Sequence, residues 1–261
     1  MHEASLTQGT GLHALAAQAM PRMVALASHG DRENELPLLC ALCTAWIESG
    51  YSVVVLDATV MESDAASGLL QILESARNVQ RKNPSESLWP IFPAMSGLEQ
   101  LCHEGSAGEA MLHLGQLFGG YAILMVYASA QQLATRLPDS GLTPVVILSG
   151  QGNAILNTYQ SLKQLLIMGR MEPTIVSLTP DSETEPRATE PTPAQRQLQE
   201  CARDFLGHQI TPLRIASGGD DVTRLALRLL ESAVKLDTRP ASHQITPLAV
   251  PAGKQQYARS Y

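Results

Sequence analysis

Short aliphatic and β-branched runs alternate with helical stretches from residue 23 to residue 236, and this alternation restricts the fold more than any other feature. Strands are predicted at residues 23–27, 52–56, 88–92, 121–126, 144–148, 174–178 and 212–215. Helices are predicted at residues 36–49, 107–118, 154–168, 193–206 and 220–236. Continuous apolar strands of this kind are typical of a parallel sheet that is buried on both faces. The pattern therefore predicts a doubly wound α/β domain with a mostly parallel sheet of about seven strands.

Three segments depart from this alternation. Residues 1–20 precede the predicted domain at residues 21–237, and residues 238–261 form a tail. Within the domain, residues 179–193 read TPDSETEPRATEPTP and show no apolar periodicity. We predict a solvated acidic loop between a strand and a helix there, with a regulatory phosphorylation or docking segment as the alternative.

The composition argues against several functional classes. A formal net charge of −7 disfavours a surface that neutralises phosphates, so nucleic-acid binding is not predicted. No apolar run approaches the roughly 18 residues that span a bilayer. Four cysteines without a secretory segment predict a cytoplasmic location. The seven histidines lack metal-ligand spacing, so neither a metal nor a cofactor is predicted.

Two of the cysteines, Cys40 and Cys43, form a C-x-x-C motif. Such a motif can be a redox dithiol or half of a metal site. Both thiols lie within the predicted apolar helix, where free cysteines are commonly inert core residues. We predict two buried, unreactive cysteines.

The loop after the first predicted strand, residues 28–35, occupies the usual phosphate-binding position of an open parallel sheet. A phosphate-binding loop needs several glycines, a lysine and a hydroxyl that holds Mg²⁺. This loop has one glycine, Gly30, and three carboxylates: Asp31, Glu33 and Glu35. Two carboxylates about 4 Å apart repel by about 1 kcal/mol in water and by more in a partly desolvated site. We therefore predict a surface loop without nucleotide, with Pro37 opening the following helix.

Residues 23–64 resemble the opening of the MinD/ParA family of deviant-Walker P-loop ATPases. The family pattern is a strand, a loop of the type S-G-K-G-G-V-G-K-T, a helix, and a strand that ends in D-x-D. In an ungapped comparison Ser28 keeps its place, but Gly30 replaces the signature lysine. Glu35 replaces the P-loop lysine, and Leu36 replaces the Mg²⁺-binding threonine.

The resemblance continues along the chain to about residue 236. Asp57 matches the first aspartate after the second strand, and Thr59 replaces the second, which orients the attacking water in the family. Residues 89–94, WPIFPA, resemble the family strand that ends in Pro-Ala. Residues 120–127 resemble the Walker B strand, with Tyr127 in place of its aspartate.

These replacements affect phosphate binding, metal binding and water activation together. The resemblance therefore implies a P-loop NTPase-like fold with a degenerate P-loop, and a pseudo-ATPase rather than an enzyme. Because ATP closes the dimer of active relatives, it also implies a monomer or a nucleotide-independent dimer. The alternative is an active family ATPase whose loop is misaligned in this comparison.

Residues 5–15, SLTQGTGLHAL, resemble the D-Q-A-x-G-L-R-x-L segment of the flagellar number regulators of this family, FlhG and FleN. The matching residues are Gln8, Gly11, Leu12 and Leu15, whereas Thr7 and His13 replace the aspartate and the arginine. The resemblance implies an arm that binds the SRP-type flagellar GTPase FlhF, with Gln8 assisting GTP hydrolysis there. An arm that only binds, and a frayed amphipathic arm that covers the domain, are the alternatives.

The last predicted helix is amphipathic, with Arg224, Arg228 and Lys235 roughly on one side. We predict that it packs on the sheet, and a helix that contacts anionic lipid is the alternative. Taken together, the sequence predicts a non-catalytic regulator of flagellum number or placement, recruited to the cell pole or to the inner membrane face. A degenerate ParA-like factor for another polar machine, such as pili or cellulose secretion, is a further hypothesis.

Overall fold

One mixed sheet forms the centre of the molecule. A computed structural model describes residues 20–76, 89–149, 153–179, 191–216 and 219–236. The sheet strands in these ranges are β1 (Arg22–Ser28), β2 (Val53–Asp57), β3 (Ile91–Pro93), β4 (Ile123–Ser129), β5 (Val145–Leu148), β6 (Thr174–Thr179), β7 (Leu213–Ala216) and β8 (Val234–Lys235). Their order is β3-β2-β4-β1-β5-β6-β7 with every pair parallel, and β8 pairs antiparallel with the start of β1. The predicted mostly parallel sheet is confirmed.

Helices connect these strands. They are α1 (Arg32–Glu48), α2 (Leu69–Ala76), α3 (Met95–Glu104), α4 (Ala107–Leu117), α5 (Ala130–Arg136), α6 (Ala154–Lys163), α7 (Pro193–Leu206) and α8 (Gly219–Ser232). A π-helical turn, Gln164–Met168, continues α6. Helices α1 and α8 cover one face of the sheet, and α2 to α7 contribute buried side chains to the other.

The strands show why both faces are covered. Along β1, Val24 and Leu26 join the core under α1 and α8, whereas Met23, Ala25 and Ala27 join the opposite core. Successive side chains of a strand point to opposite faces, so an unbroken apolar strand requires a layer on each side. The doubly wound prediction is confirmed.

Helix α1 begins earlier than the sequence pattern indicated. The predicted helix covers residues 36–49 and opens at Pro37, but α1 begins at Arg32 and Pro37 lies inside it. The Asp31 carbonyl accepts the N–H groups of Asn34 and Glu35, which closes the first turn. Pro37 leaves only the Glu33 carbonyl without its helical donor, and Glu33 is exposed, so water can bind that carbonyl.

The sequence pattern missed three helices, α2, α3 and α5, of which two have eight residues or fewer. It also extended the last helix to residue 236, whereas α8 ends at Ser232 and the chain turns back as β8. Around the acidic loop, Thr179 belongs to β6 and Pro193 to α7, whose start is fixed by a capping box between Thr192 and Gln195. Residues 180–190 lie outside the described residues.

Helix α8 packs on the sheet, as predicted, and it also packs on α1. Its residues Val222, Leu225 and Leu229 are buried, and the Trp46 indole of α1 donates to the Ala226 carbonyl at 2.9 Å. Lys235, which the sequence placed in this helix, lies in β8. Within the described ranges, no helix combines the length and the apolar character that a bilayer crossing requires.

Candidate functional site

The strands β2, β4 and β1 are neighbours, and their carboxyl ends bring the predicted site residues to one edge of the sheet. Ser28 pairs with Ser129 at the ends of β1 and β4, and Tyr127 pairs with Asp57 across β4 and β2. In open parallel sheets this edge is where ligands usually bind. The loop from β1 to α1 lies at the same edge, so all the residues compared with a P-loop can meet there.

Glu35 lies at the centre of this site. Its side chain is fully buried, with no exposed area. Its Oε1 accepts the backbone N–H groups of His29 at 2.8 Å and Asp31 at 3.2 Å. Its Oε2 accepts the hydroxyl groups of Ser28 at 2.8 Å and Tyr127 at 2.6 Å. The predicted surface loop is therefore wrong at Glu35, because four donors replace the water that a carboxylate would otherwise require.

Local geometry directs the Glu35 carboxylate into the loop. Gly30 has φ of +95°, a conformation that glycine adopts without strain, and it turns the chain between β1 and α1. Glu35 lies in the first turn of α1, where the helix dipole favours a negative charge. Side chains on a helix tilt toward its N-terminus, so this carboxylate reaches back to the N–H groups that precede the helix.

Tyr127 supplies the donor from β4. The side chain is 1% exposed and packs in the core under α1. Besides Glu35, its hydroxyl oxygen lies 3.2 Å from the Ser28 hydroxyl oxygen. Burial, followed by the hydrogen bond to Glu35, raises the pKa of Tyr127 to about 12. Tyr127 is thus a neutral donor at physiological pH.

His29 belongs to the same cluster, although nothing in the sequence pattern predicted it. Its Nε2 lies 2.8 Å from the Ile147 carbonyl oxygen, which can only accept, so Nε2 carries a proton. Its Nδ1 lies 3.6 Å from Glu35 Oε1 and has no hydrogen-bond partner among the described residues. The side chain is 2% exposed. Only the position of His29 between Ser28 and Gly30 could have indicated its role, because a histidine in a loop is usually exposed.

Asp57 and Thr59 form a separate turn beside this cluster. Asp57 Oδ1 accepts the backbone N–H of Thr59 at 2.9 Å and its hydroxyl at 2.6 Å. The Arg32 guanidinium donates to the Thr59 hydroxyl oxygen at 2.8 Å, which connects the turn to α1. Leu36 is 39% exposed on α1 and takes no part in either group. The structure thus joins Ser28, Glu35 and Tyr127, and it separates them from Asp57 and Thr59.

A second buried carboxylate, Glu62, also escaped the sequence analysis. It accepts the N–H groups of Ser96 at 2.8 Å, Gly97 at 2.7 Å and Leu70 at 3.3 Å. These groups belong to the first turns of α3 and α2. Burial alone would raise the pKa of Glu62, but the hydrogen bonds from Gly97 and Ser96 outweigh it and lower the pKa. A single acidic residue in an irregular loop carries no signal that distinguishes such a contact from a solvated side chain.

Next to His29 lies a small cleft of about 170 Å³ between α5 and α6. Uncharged polar side chains line it, including Ser28, Gln131, Asn157 and Gln160. Of the residues that the structure describes, no lysine, arginine or carboxylate contributes to this lining. The cleft therefore offers hydrogen bonds but no charge that would neutralise a phosphate.

The arm residues, the two cysteines of the C-x-x-C motif and any metal-binding group lie apart from this site or outside the described residues. The arm residues Gln8, Gly11, Leu12, His13 and Leu15 lie outside the described residues. Cys43 is buried, and burial raises its pKa to about 12, but Cys40 is exposed, contrary to prediction, because it lies on the solvent side of α1. In the described ranges, no group of three or more His, Cys, Asp or Glu side chains could hold a metal ion.

Solved structures are similar to this chain in fold. MinD from Aquifex aeolicus has a TM-score of 0.52 and 13% identity over 82% of this chain and 98% of that chain. The MinC:MinD complex from Aquifex aeolicus gives a TM-score of 0.53 and 12% identity over 82% and 97%. A ParA family ATPase from Chlorobium tepidum TLS gives 0.47 and 12% over 81% and 91%. No protein-family model matches the chain, and no curated protein matches its sequence. The two MinD structures show that the chain has the MinD/ParA type of P-loop NTPase-like fold.

The site has a definite chemical consequence. The N–H groups of His29 and Asp31, which a phosphate at this loop would need, already bind Glu35. A phosphate that approached them would meet a buried carboxylate instead of a lysine ammonium. The two charges would repel strongly, since a buried site screens charge much less than water does.

Proposed function

We propose that this chain is a MinD/ParA-like positioning regulator that has lost ATP chemistry and acts through protein contacts. The observation that carries the proposal is the position of Glu35, fully buried and bound by four donors at the edge where the fold would hold a phosphate. The replacement of the two catalytic lysines, the metal-binding threonine and the Walker B aspartate supports the same conclusion. Its class is therefore a pseudo-ATPase.

Calorimetric titration of the full-length protein with ATP and ADP in the presence of Mg²⁺ tests the loss of nucleotide chemistry. We expect no binding tighter than about 100 μM, which corresponds to about −5.5 kcal/mol. Tighter binding would establish the alternative, an active family ATPase whose loop was misaligned. A known family ATPase titrated in parallel is the positive control.

We further propose that the partner is the SRP-type flagellar GTPase FlhF, bound through the arm at residues 1–20. The resemblance of residues 5–15 to the FlhG and FleN segment supports this partner. The similar MinD from Aquifex aeolicus was solved as a complex with another protein, MinC, which supports partner binding as a use of this fold. The protein would then regulate flagellum number or placement from the cell pole or the inner membrane face.

A pull-down with purified FlhF tests this partner. Full-length protein should retain FlhF, and a variant without residues 1–20 should not. If neither protein retains FlhF, a ParA-like factor for pili or cellulose secretion becomes the better hypothesis. If both retain it equally, the arm is not the binding element.

The Gln8→Ala variant separates binding from GTPase activation. We expect it to bind FlhF as the wild type does but to lose stimulation of GTP hydrolysis, because a glutamine near the γ-phosphate orients the attacking water. Unchanged stimulation would contradict the catalytic role of Gln8 and leave an arm that only binds. Thr7→Ala, at a position where the chain already departs from the family segment, is the matched control.

A further inference from the structure

We propose that the loop between β1 and α1 is an oxyanion site that carries its own ligand, with the Glu35 carboxylate in the place of a phosphate group. The functional meaning of this inference rests on the proposed function, which requires a protein that works without nucleotide. That the Glu35 carboxylate occupies the anion position of the loop follows from the contacts of Glu35 alone and is tested separately.

The donor set is of the kind that binds an oxyanion. Two backbone N–H groups of the loop, those of His29 and Asp31, donate to one carboxylate oxygen of Glu35. Two hydroxyls, those of Ser28 and Tyr127, donate to the other oxygen. Backbone N–H groups in front of a helix N-terminus are the usual anion-binding elements of α/β proteins. Every one of these four donors points at the same carboxylate, so its charge is stabilised without a lysine or a metal ion.

The buried histidine next to this carboxylate supports the proposal independently. The His29 side chain is 2% exposed, and its Nδ1 faces Glu35 Oε1 at 3.6 Å with no hydrogen-bond partner in the part of the chain that the structure describes. Buried polar atoms rarely lack a partner, and this one is directed at the Glu35 carboxylate. The hydrogen bond from His29 Nε2 to the Ile147 carbonyl of β5 sets the orientation of the ring, with Nδ1 directed toward the Glu35 carboxylate.

The ligand also links separate parts of the fold. Glu35 comes from α1 and Tyr127 from β4, which lie 92 positions apart in the sequence. A free ligand occupies its site according to its concentration, whereas a covalently attached one has a high effective concentration at all times. The arrangement of this loop with respect to β4 is therefore independent of the nucleotide concentration, and any partner that contacts this edge of the sheet meets a single state.

Chemical rescue tests the proposal. Glu35→Ala removes a methylene and a carboxylate, and these are the atoms that acetate supplies. We expect the melting temperature of Glu35→Ala to fall by several degrees and to rise again by about 3 °C when acetate or inorganic phosphate exceeds its dissociation constant about tenfold. Sodium chloride at equal ionic strength should not produce this rise.

Glu35→Gln is the matched control, because the amide fills the same space and leaves no room for an anion. Neither this variant nor the wild type should respond to acetate or phosphate beyond the effect of sodium chloride. The proposal is overturned if Glu35→Ala gains no more from acetate and phosphate than from chloride, or if Glu35→Gln gains as much as Glu35→Ala.

A second measurement decides the matter if Glu35→Ala does not fold. Tyr127→Phe removes one donor and keeps the ring, so it can be combined with Glu35→Gln in a double-mutant cycle. We expect Tyr127→Phe to lower the melting temperature at least twice as much in the wild type as in Glu35→Gln, because a hydrogen bond to a carboxylate is roughly twice as strong as one to a neutral group. Equal losses in both backgrounds would contradict an anionic ligand.

These outcomes are distinct from those of the proposed function. Nucleotide titration of the wild type tests whether ATP binds anywhere on the protein. Rescue of Glu35→Ala tests what occupies the loop. The wild type could fail to bind ATP while Glu35→Ala is not rescued, and in that case the pseudo-ATPase would stand and the built-in ligand would not.

Discussion

Glu35 and Glu62 are two buried carboxylates that accept several hydrogen bonds each, but they receive these bonds in different ways. Glu62 binds mainly backbone N–H groups, from the first turns of α2 and α3, and the Ser96 hydroxyl adds one side-chain donor. Glu35 binds two backbone N–H groups and two hydroxyls, and one hydroxyl comes from Tyr127 on β4. A backbone donor is present whatever the side chain, whereas a tyrosine or serine donor depends on the residue type. Glu62 is therefore a tether between two helices, and the Glu35 site depends on a specific set of side chains.

Removal of the Glu35 carboxylate should have the largest effect on stability, and removal of the Glu62 carboxylate a smaller one. We expect Glu35→Ala to reduce the free energy of unfolding by about 4 kcal/mol and Glu62→Ala by about 2 kcal/mol. Glu35 is fully buried and leaves two hydroxyls without an acceptor, while Glu62 is 9% exposed, so water can reach its donors. Urea unfolding of the two variants without added oxyanions measures the difference. Equal losses would mean that the hydroxyl donors contribute nothing.

A glycine in each region provides the next comparison. Gly97 lies where α3 approaches α2, and an added Cβ would be 2.6 Å from the Leu70 backbone nitrogen. We expect Gly97→Ala to cost about 3 kcal/mol, because the two helices must separate and Glu62 can no longer bind both. Gly30→Ala meets no atom within 4 Å and costs only the strain of its positive φ, about 1 kcal/mol. Urea unfolding measures both variants, and a larger loss for Gly30→Ala would contradict the steric argument.

The two regions should also lose stability at opposite ends of the pH range. The pKa of Tyr127 is raised from 10 to about 12, so its contribution of about 3 kcal/mol is complete below pH 10 and is lost as the pH rises toward 12. The pKa of Glu62 is lowered, so its contribution is complete above pH 4.5 and is lost as the pH falls through its folded pKa.

Unfolding free energies measured against pH for three proteins test this contrast. Tyr127→Phe should lose less stability than the wild type above pH 10, and Glu62→Gln should lose less below pH 4.5. Each variant serves as the control for the other, because neither change affects the opposite end of the range. Profiles parallel to that of the wild type would contradict the assignment of these two groups.

The smallest effect is expected at the link between the two loops. Arg32, at the start of α1, donates to Thr59 in the loop that precedes Glu62. This contact is exposed, and exposed contacts of charged side chains contribute about 0.5 kcal/mol or less. Arg32→Ala should therefore leave the unfolding midpoint in urea almost unchanged. A loss above about 1 kcal/mol would show that the Glu35 and Glu62 regions are coupled and not independent.

The fold was largely predictable, and the failures have identifiable causes. The strands were predictable because a short unbroken apolar run, such as residues 53–56, must be buried on both faces, and a central strand of a parallel sheet provides that burial. The start of α1 was missed because Asp31, Glu33 and Glu35 resemble a solvated loop, although acidic residues are also favourable in the first turn of a helix. The two-residue strand β8 was missed because its pairing partner, the start of β1, is distant in the sequence.

For the candidate site, the sequence predicted some of the residues but not their contacts. Ser28, Glu35 and Tyr127 were identified by resemblance to the MinD/ParA pattern. Ser28 matches its serine, Glu35 falls at its P-loop lysine, and Tyr127 falls at its Walker B aspartate. Their contacts with one another were not predictable, because the hydrogen bond from Tyr127 to Glu35 joins residues 92 positions apart. His29 and Glu62 were not predicted at all, because nothing in their residue type or spacing indicates burial.

By itself the sequence determined the alternation of elements, the parallel sheet, and a loop at residues 28–35 with one glycine, three carboxylates and no lysine. These are local properties, set by hydrophobic period and residue type. Only the tertiary structure decided how the carboxylates of that loop are bound. Parallel pairing brings β1, β4 and the start of α1 to one edge, and burial there makes four donors bind Glu35, since an unpaired buried carboxylate would be unstable.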